Sequence, residues 1–222
     1  MRFAAFETAT EWCSVALWID GEIFGLEQRA DNRHSALALP MLEELFAKTG
    51  IQAASLEAVA FGAGPGSFTG LRIACGIAQG LAFAHGLPVL GVSTLEAIAE
   101  ESGAPRVVAC LDARMREVYY AALEKQAGQW REVVGALCVA PDAAPVPPGA
   151  EWVACGNGFA VYPSLLHGRL SAVRSEVHPT AVAIAELAAP RLARGEGVDP
   201  ASAAPMYVRD KVAFTRDELE KK

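Results

Sequence analysis

The residues best suited to chemistry lie in two stretches, Glu7-Thr8 near the start and Gly64-Pro65-Gly66-Ser67-Phe68-Thr69-Gly70 further on. Glycines at this density let a backbone turn close around a phosphate, and a carboxylate beside a hydroxyl suits phosphate or metal work. Three forms of that chemistry compete for the glycine stretch. A Walker loop needs Lys after its last glycine, where Leu71-Arg72 stands. A dinucleotide fingerprint needs a third glycine where Thr69 stands, in a unit that opens the first βαβ, and this one does not. The third form is a helix start capped by Ser67 or Thr69, whose free N–H groups could hold an anion. The same residues serve equally as a plain turn and cap. Glu7, Thr8, Gly64, Gly66, Ser67 and Thr69 are therefore the candidate nucleotide-contacting residues, with Glu7 alternatively a hydrogen-bonded turn residue.

Other constellations are absent from the sequence. His34, His85, His167 and His178 form no H-x-x-x-H or H-E-x-x-H pair, and the five cysteines are scattered without a C-x-x-C. The expectation is no catalytic group, no metal site, no disulfide framework, and cysteines buried as small hydrophobes.

The elements that must position these residues can be read from periodicity. "RFAAFE", "SVALWI" and "EIFGLEQ" read as strands, the last two joined by the hairpin dipeptide Asp20-Gly21. "HSALALPMLEELFAKTG" is helical with a stop at Gly50, "LEAVAFG" is a buried strand, a second helix runs from Thr69 to His85, and "LPVLGV" is a strand. This β-β-β-α-β-α-β order predicts an α/β fold. Beyond it come a helix in "STLEAIAEES", strands in "RVVACLDA" and "EVYYAALE", and a proline-rich break near residues 140–150. A late helix follows, with Pro179 suited to its first turn and Gly195 beyond its end. The charged "TRDELEKK" reads as a frayed end. The domains expected are residues 1–104 and a smaller unit, 105–222.

Both early helices carry more apolar surface than one buried face requires. Leu37, Ala38, Leu39, Met41, Leu42, Leu45 and Phe46 sweep about 200° of the first, twice the usual stripe. In the second, Arg72 and Gln79 are the only strongly polar residues before its end, while Gly76 and Gly80 stand one turn apart with Ala84 following. An interior glycine costs roughly 1 kcal/mol relative to Ala, so a close backbone approach should offset it. The surplus is buried within the chain or marks a partner.

Nineteen basic and 26 acidic residues give a net charge of −7, and no run of Lys and Arg appears along the chain. Unaided tight binding to nucleic acid is disfavoured. No apolar stretch approaches a membrane span or a signal peptide, which predicts a cytoplasmic protein without a membrane partner.

Together "FETATEWCSVAL", "FGAGPGSFTGLRIACGIAQGLA", "VLGVSTLEAIA", "LDARMREVY" and "PMYVRDKVA" resemble the TsaB, or YeaZ, family over nearly the whole chain. The resemblance implies two actin-like, ribonuclease H-like lobes with mixed sheets, and a part in making threonylcarbamoyladenosine beside the anticodon of tRNA. It further implies a non-catalytic subunit that pairs with its paralogue TsaD, works with the ATPase TsaE, meets tRNA mainly through these partners, and forms a homodimer when alone. The implied interface is Leu37, Leu39, Met41, Leu42, Phe46, Arg72, Ile73, Gly76, Ile77, Gly80 and Ala84. In TsaD the segment resembling "GVSTLEAIA" carries two metal-binding histidines, and here Thr94 and Ile98 stand in those places, so a metallopeptidase is disfavoured. Relatives place Asp where this chain has Glu7. One extra methylene exceeds the ~0.5 Å tolerance of a preorganised site, which leaves ATP or ADP to weak binding or to a joint interface. The alternative function is an ATP-binding phosphotransferase of the sugar-kinase type using Glu7, Thr8 and the glycine turn. The segment from Asp112 to Tyr119 has no assigned role.

Overall fold

The computed structural model describes residues 1–209, so "TRDELEKK" lies outside the described residues. The chain opens with three antiparallel strands, β1 (Arg2–Glu7), β2 (Trp12–Ile19) and β3 (Glu22–Arg29). Asp20 and Gly21, at φ 52° and 105°, close the β2–β3 hairpin, the conformation a tight Asp-Gly turn requires. Next come α1 (His34–Thr49), β4 (Ala58–Gly64), α2 (Phe68–His85) and β5 (Val89–Ser93). The first sheet has the order β3-β2-β1-β4-β5, with β4 parallel to both β1 and β5.

A second pass repeats this plan. After α3 (Thr94–Ser102) the chain forms β6 (Arg106–Asp112), β7 (Val118–Gln126), β8 (Gln129–Val139) and β9 (Val153–Cys155). The short helix α4 (Gly158–Val161), β10 (Ala172–Arg174) and α5 (Ala181–Ala193) complete it. The second sheet runs β8-β7-β6-β9-β10, three antiparallel strands followed by two parallel ones, as in the first. This is the two-lobed α/β fold that the resemblance implies.

Packing is in layers. Helices α1 and α2 cover one face of the first sheet, where Phe6, Val15, Leu17, Val59 and Phe61 meet Leu42, Leu45, Ala74 and Ala78. The other face, bearing Phe3, Ala5, Ala16 and Ala60, is covered by the alanine-rich α5. Helix α3 bridges the lobes: Ala97 joins the α5 layer, while Leu95, Ile98 and Ala99 pack on Val107, Ala109 and Leu123 of the second sheet. A division at residues 104/105 falls between α3 and β6, and α5 returns from the second half to the first sheet.

Two local expectations are corrected. Pro179 precedes the cap of α5 and is not in its first turn; Thr180 caps the helix by accepting the Ala183 N–H at 3.1 Å. Strand β8 goes unread in the sequence because extra residues between Leu137 and Glu132, opposite Tyr120 to Leu123 of β7, bulge it around Gly135 and break its alternation.

Candidate functional site

Glu7 ends β1 with its carboxylate in the interior, 1% exposed. Its Oε1 accepts the Ala9 N–H at 2.6 Å, and its Oε2 accepts the Thr94 hydroxyl at 3.2 Å. Burial pushes the carboxyl up to about 7, against the lowering effect of these hydrogen bonds. The longer Glu side chain is accommodated because β4 has glycine opposite it: a β-carbon on Gly62 would overlap the carboxylate. Cys13, also buried, is pushed up to about 11 by desolvation and by the Glu7 charge.

The glycine turn closes around the chain's own backbone. Thr8 is buried, and its hydroxyl donates to the Gly70 carbonyl at 2.7 Å. The Ser67 N–H donates to the Ala9 carbonyl at 2.8 Å. A β-carbon on Gly70 would overlap the Thr8 carbonyl, and one on Gly66 would lie 2.6 Å from the Ala9 methyl. Gly64 lies against Leu71 and the Met206 carbonyl. Ser67 is the helix cap, accepting the Gly70 N–H at 3.3 Å, while Thr69 sits inside α2 and is exposed. The glycines thus admit residues 7–9 of the first strand's loop at close range, the plain turn and cap that the sequence offered beside an anion site.

Of the helix-face residues, the structure exposes Leu39, Arg72, Gly76, Gly80 and Ala84 and half-buries Leu37, Phe46, Ile73 and Ile77. Met41 and Leu42 are corrected: both are buried against the first sheet, at 7% and 3% exposure, because the inner half of the wide α1 arc is the core face. Gly76 and Gly80 look outward, and a β-carbon at either meets nothing within 4 Å. Sequence reasoning missed Phe83, 61% exposed on the same helix, and Phe68 at its start. Phe83 lies off the i, i+4 ladder from Arg72 to Ala84 that drew attention to the glycines, and Phe68 extends that ladder by one turn before the Thr69 start read from the sequence.

Gln79 has a structural use. Its amide donates to the carbonyls of Pro200 and Ala203 at 3.0 and 3.1 Å, and the Cys75 thiol also reaches the Ala203 carbonyl. These contacts hold a strap that begins at residue 200, continues through Met206 N–H to the Ala63 carbonyl and reaches the second lobe at Arg209. There Arg209 donates to the Ala113 carbonyl at 3.0 Å and to the Glu117 carboxylate at 2.5 Å.

Between the lobes a cavity of about 200 Å³ is lined by Thr10, Trp12, Arg29, Asn157 and His178 among others, with Trp12 stacked on His178. That is below the ~300–1,000 Å³ usual for small-molecule sites. Among the described residues no three His, Cys, Asp or Glu side chains are grouped to hold a metal ion, and no helix is long and apolar enough to cross a membrane. Thr94 and Ile98 are both fully buried.

Comparison with known proteins gives a consistent picture. The family model described as TsaD, tRNA N6-adenosine threonylcarbamoyltransferase, matches residues 27–213. The tRNA threonylcarbamoyladenosine biosynthesis protein TsaB of Escherichia coli is 37% identical over 97% of this chain and 98% of its own length. The protein of the same name from Haemophilus influenzae is 34% identical over 97% of both chains. A solved structure of YeaZ from Pseudomonas aeruginosa superposes with a TM-score of 0.89 at 39% identity, covering 93% of this chain and 99% of that one.

Proposed function

The chain belongs to the TsaB family, and from that premise we propose that it acts in tRNA threonylcarbamoyladenosine biosynthesis as a non-catalytic subunit that docks a TsaD-type paralogue on the outer face of α1 and α2. Self-association through the same face follows when the paralogue is absent, in a two-fold, self-complementary contact. TsaE and tRNA enter through the resulting complex, and nucleotide binds this chain weakly or at the joint interface.

The observation that carries the reading is the outward setting of Gly76 and Gly80. Each weakens the isolated helix by roughly 1 kcal/mol, and neither makes room for any of the described residues. A helix laid across them by a partner would use the space, with Ile73, Ile77, Leu37 and Phe46 at its flanks. The phosphotransferase alternative has less support, because Thr8 and Ala9 fill the turn that would hold the phosphate.

The test is reconstitution. The purified chain is mixed with the TsaD-type protein of its host, and complex formation and threonylcarbamoyl transfer to tRNA are measured with and without it. A stable complex, with transfer that depends on this chain and no transfer by this chain alone, is expected. Transfer or ATP turnover by the isolated chain would overturn the non-catalytic role, and failure to form the complex would overturn the docking role.

A further inference from the structure

The β6–β7 hairpin holds three successive non-glycine residues, Arg114, Met115 and Arg116, in the left-handed region at φ 62°, 54° and 61°. Such a conformation costs each residue roughly 1–2 kcal/mol, and only Gly, Asn or Asp adopt it readily. The turn is held from several sides. Ala113 N–H donates to the Glu117 carbonyl and Glu117 N–H to the Arg114 carbonyl, both at 3.0 Å. Arg114 N–H is held by the Asp112 carboxylate, Asp112 N–H by Asn157, and Arg209 of the strap clamps the loop from outside. The product of this bracing is a tip whose side chains face solvent: Arg114 is 88% exposed, and Met115 and Arg116 are exposed beside it.

The strap carries the same surface across to α2. Tyr207 and Phe68 form an exposed aromatic pair with ring centroids 5.8 Å apart, and the Arg72 guanidinium stacks on the Phe68 ring at 3.4 Å. A shallow depression bounded by Phe68, Tyr119, Tyr207 and Arg209 joins this pair to the hairpin. Three exposed arginines from two separate segments, Arg72, Arg114 and Arg116, thus lie with exposed rings on one surface of a chain whose net charge is −7. Asp112 offsets one of those charges, and the largely buried Arg209 is taken up by Glu117.

We infer that the Arg114–Arg116 hairpin and the Phe68–Tyr207 pair form an accessory RNA-contact surface, where the arginines meet phosphates and the rings stack on unpaired bases of the tRNA substrate. This rests on the proposed place in tRNA modification and adds a contact made by this chain itself. Guanidinium groups beside exposed aromatic rings are the chemistry by which proteins engage single-stranded RNA. Arg72 and Arg116 have no carboxylate partner among the described residues, and an apolar protein surface would cover them uncompensated, so charge complementarity favours RNA as the occupant. With so few cations the contact is weak and dependent on salt.

The test uses the full chain and a 17-nucleotide anticodon stem-loop RNA, titrated at about 50 mM salt with binding followed by NMR shifts and by fluorescence anisotropy. Shifts at the hairpin and at Tyr207 are expected. Arg114→Ala/Arg116→Ala should weaken binding by roughly five- to tenfold and flatten the log–log salt slope by about 1.4–1.8. Tyr207→Ala should weaken it roughly five- to 100-fold if one base stacks there. An unchanged melting temperature for each variant secures the comparison, and Arg116→Glu, which keeps Arg114, provides a second variant should the double one fail to fold. No RNA binding by the wild-type chain, or unaltered binding by the variants, overturns the inference. So does loss of affinity for the TsaD-type partner with RNA binding intact, which would make the surface a protein interface. Reconstituted transfer that survives while RNA binding here is absent sinks this inference alone and leaves the proposed function standing.

Discussion

The Thr94 hydroxyl donates to Glu7 Oε2 at 3.2 Å in the interior, tying the start of α3 to the end of β1 across 87 residues. Two of the three positions at which the sequence departs from a metal-and-phosphate pattern, Glu7 and Thr94, therefore satisfy one another. A carboxyl pushed up to about 7 by burial can be neutral there, and a hydroxyl is a suitable donor to it. This pair, the β4 glycine opposite it, the outward glycine ladder and the strap each give a measurable expectation.

Glu7 should make stability depend on pH. Its folded value of about 7 lies above the ordinary 4.5, so the folded state holds its proton more tightly than the unfolded chain does. The contribution is fully present below about pH 4.5, declines as pH rises, and is lost above about 7, with a total of about 3 kcal/mol. Glu7→Gln keeps an acceptor for Thr94 and Ala9 but cannot ionise. Urea denaturation between pH 4 and 8 should show a gap between wild type and variant that shifts in the variant's favour by that amount. A constant gap across the range would refute the assignment.

Gly62→Ala should destabilise the fold, since its β-carbon would overlap the Glu7 carboxylate, and overpacking of this kind typically costs about 1–3 kcal/mol. Glu7→Asp withdraws the carboxylate by one methylene. The double variant should recover at least half of the loss, measured as a coupling energy from thermal or urea unfolding. Additive effects would mean that the two residues do not compete for the same space.

Gly80→Leu should separate fold from association. Nothing lies within 4 Å of a β-carbon there, and the change removes a helix penalty of roughly 1 kcal/mol. Under monomer-favouring dilution the melting temperature should stay level or rise. Affinity for a second copy or for the TsaD-type partner should fall roughly five- to 150-fold, the equivalent of about 1–3 kcal/mol of overpacking. Unchanged affinity by light scattering and titration would remove the glycine ladder from the interface.

Arg209→Ala should loosen the strap. The guanidinium is largely buried and donates to two backbone carbonyls and the Glu117 carboxylate, so its loss leaves groups of the strained hairpin without their donor. A cost of about 1–3 kcal/mol is expected, a fall of roughly 2–12 °C for a chain of this size. Hydrogen exchange should rise first at Ala113 and Glu117. Equal stability and exchange would show that the hairpin holds itself.

Local preferences in the sequence specified much of the framework. Asp20-Gly21 set a hairpin, Gly50 ended α1 in the left-handed conformation, and Ser93 capped α3. Such features depend on residues within a turn of one another, so a linear reading captures them. Whether Met41 or Leu39 faced inward was not so determined, because a 200° apolar arc has no unique inner edge until a sheet is laid against it. The glycine turn looked like a phosphate loop because both uses require a backbone without side chains, and only the fold shows that residues 7–9 occupy the space. The sequence held no run of arginines, yet Arg72, Arg114 and Arg116 come to one surface because the strap, fixed by Gln79 and Met206 and anchored by the buried Arg209, crosses from one lobe to the other. Charge and burial at a point in space are sums over segments far apart in the chain. The tertiary structure alone decides them.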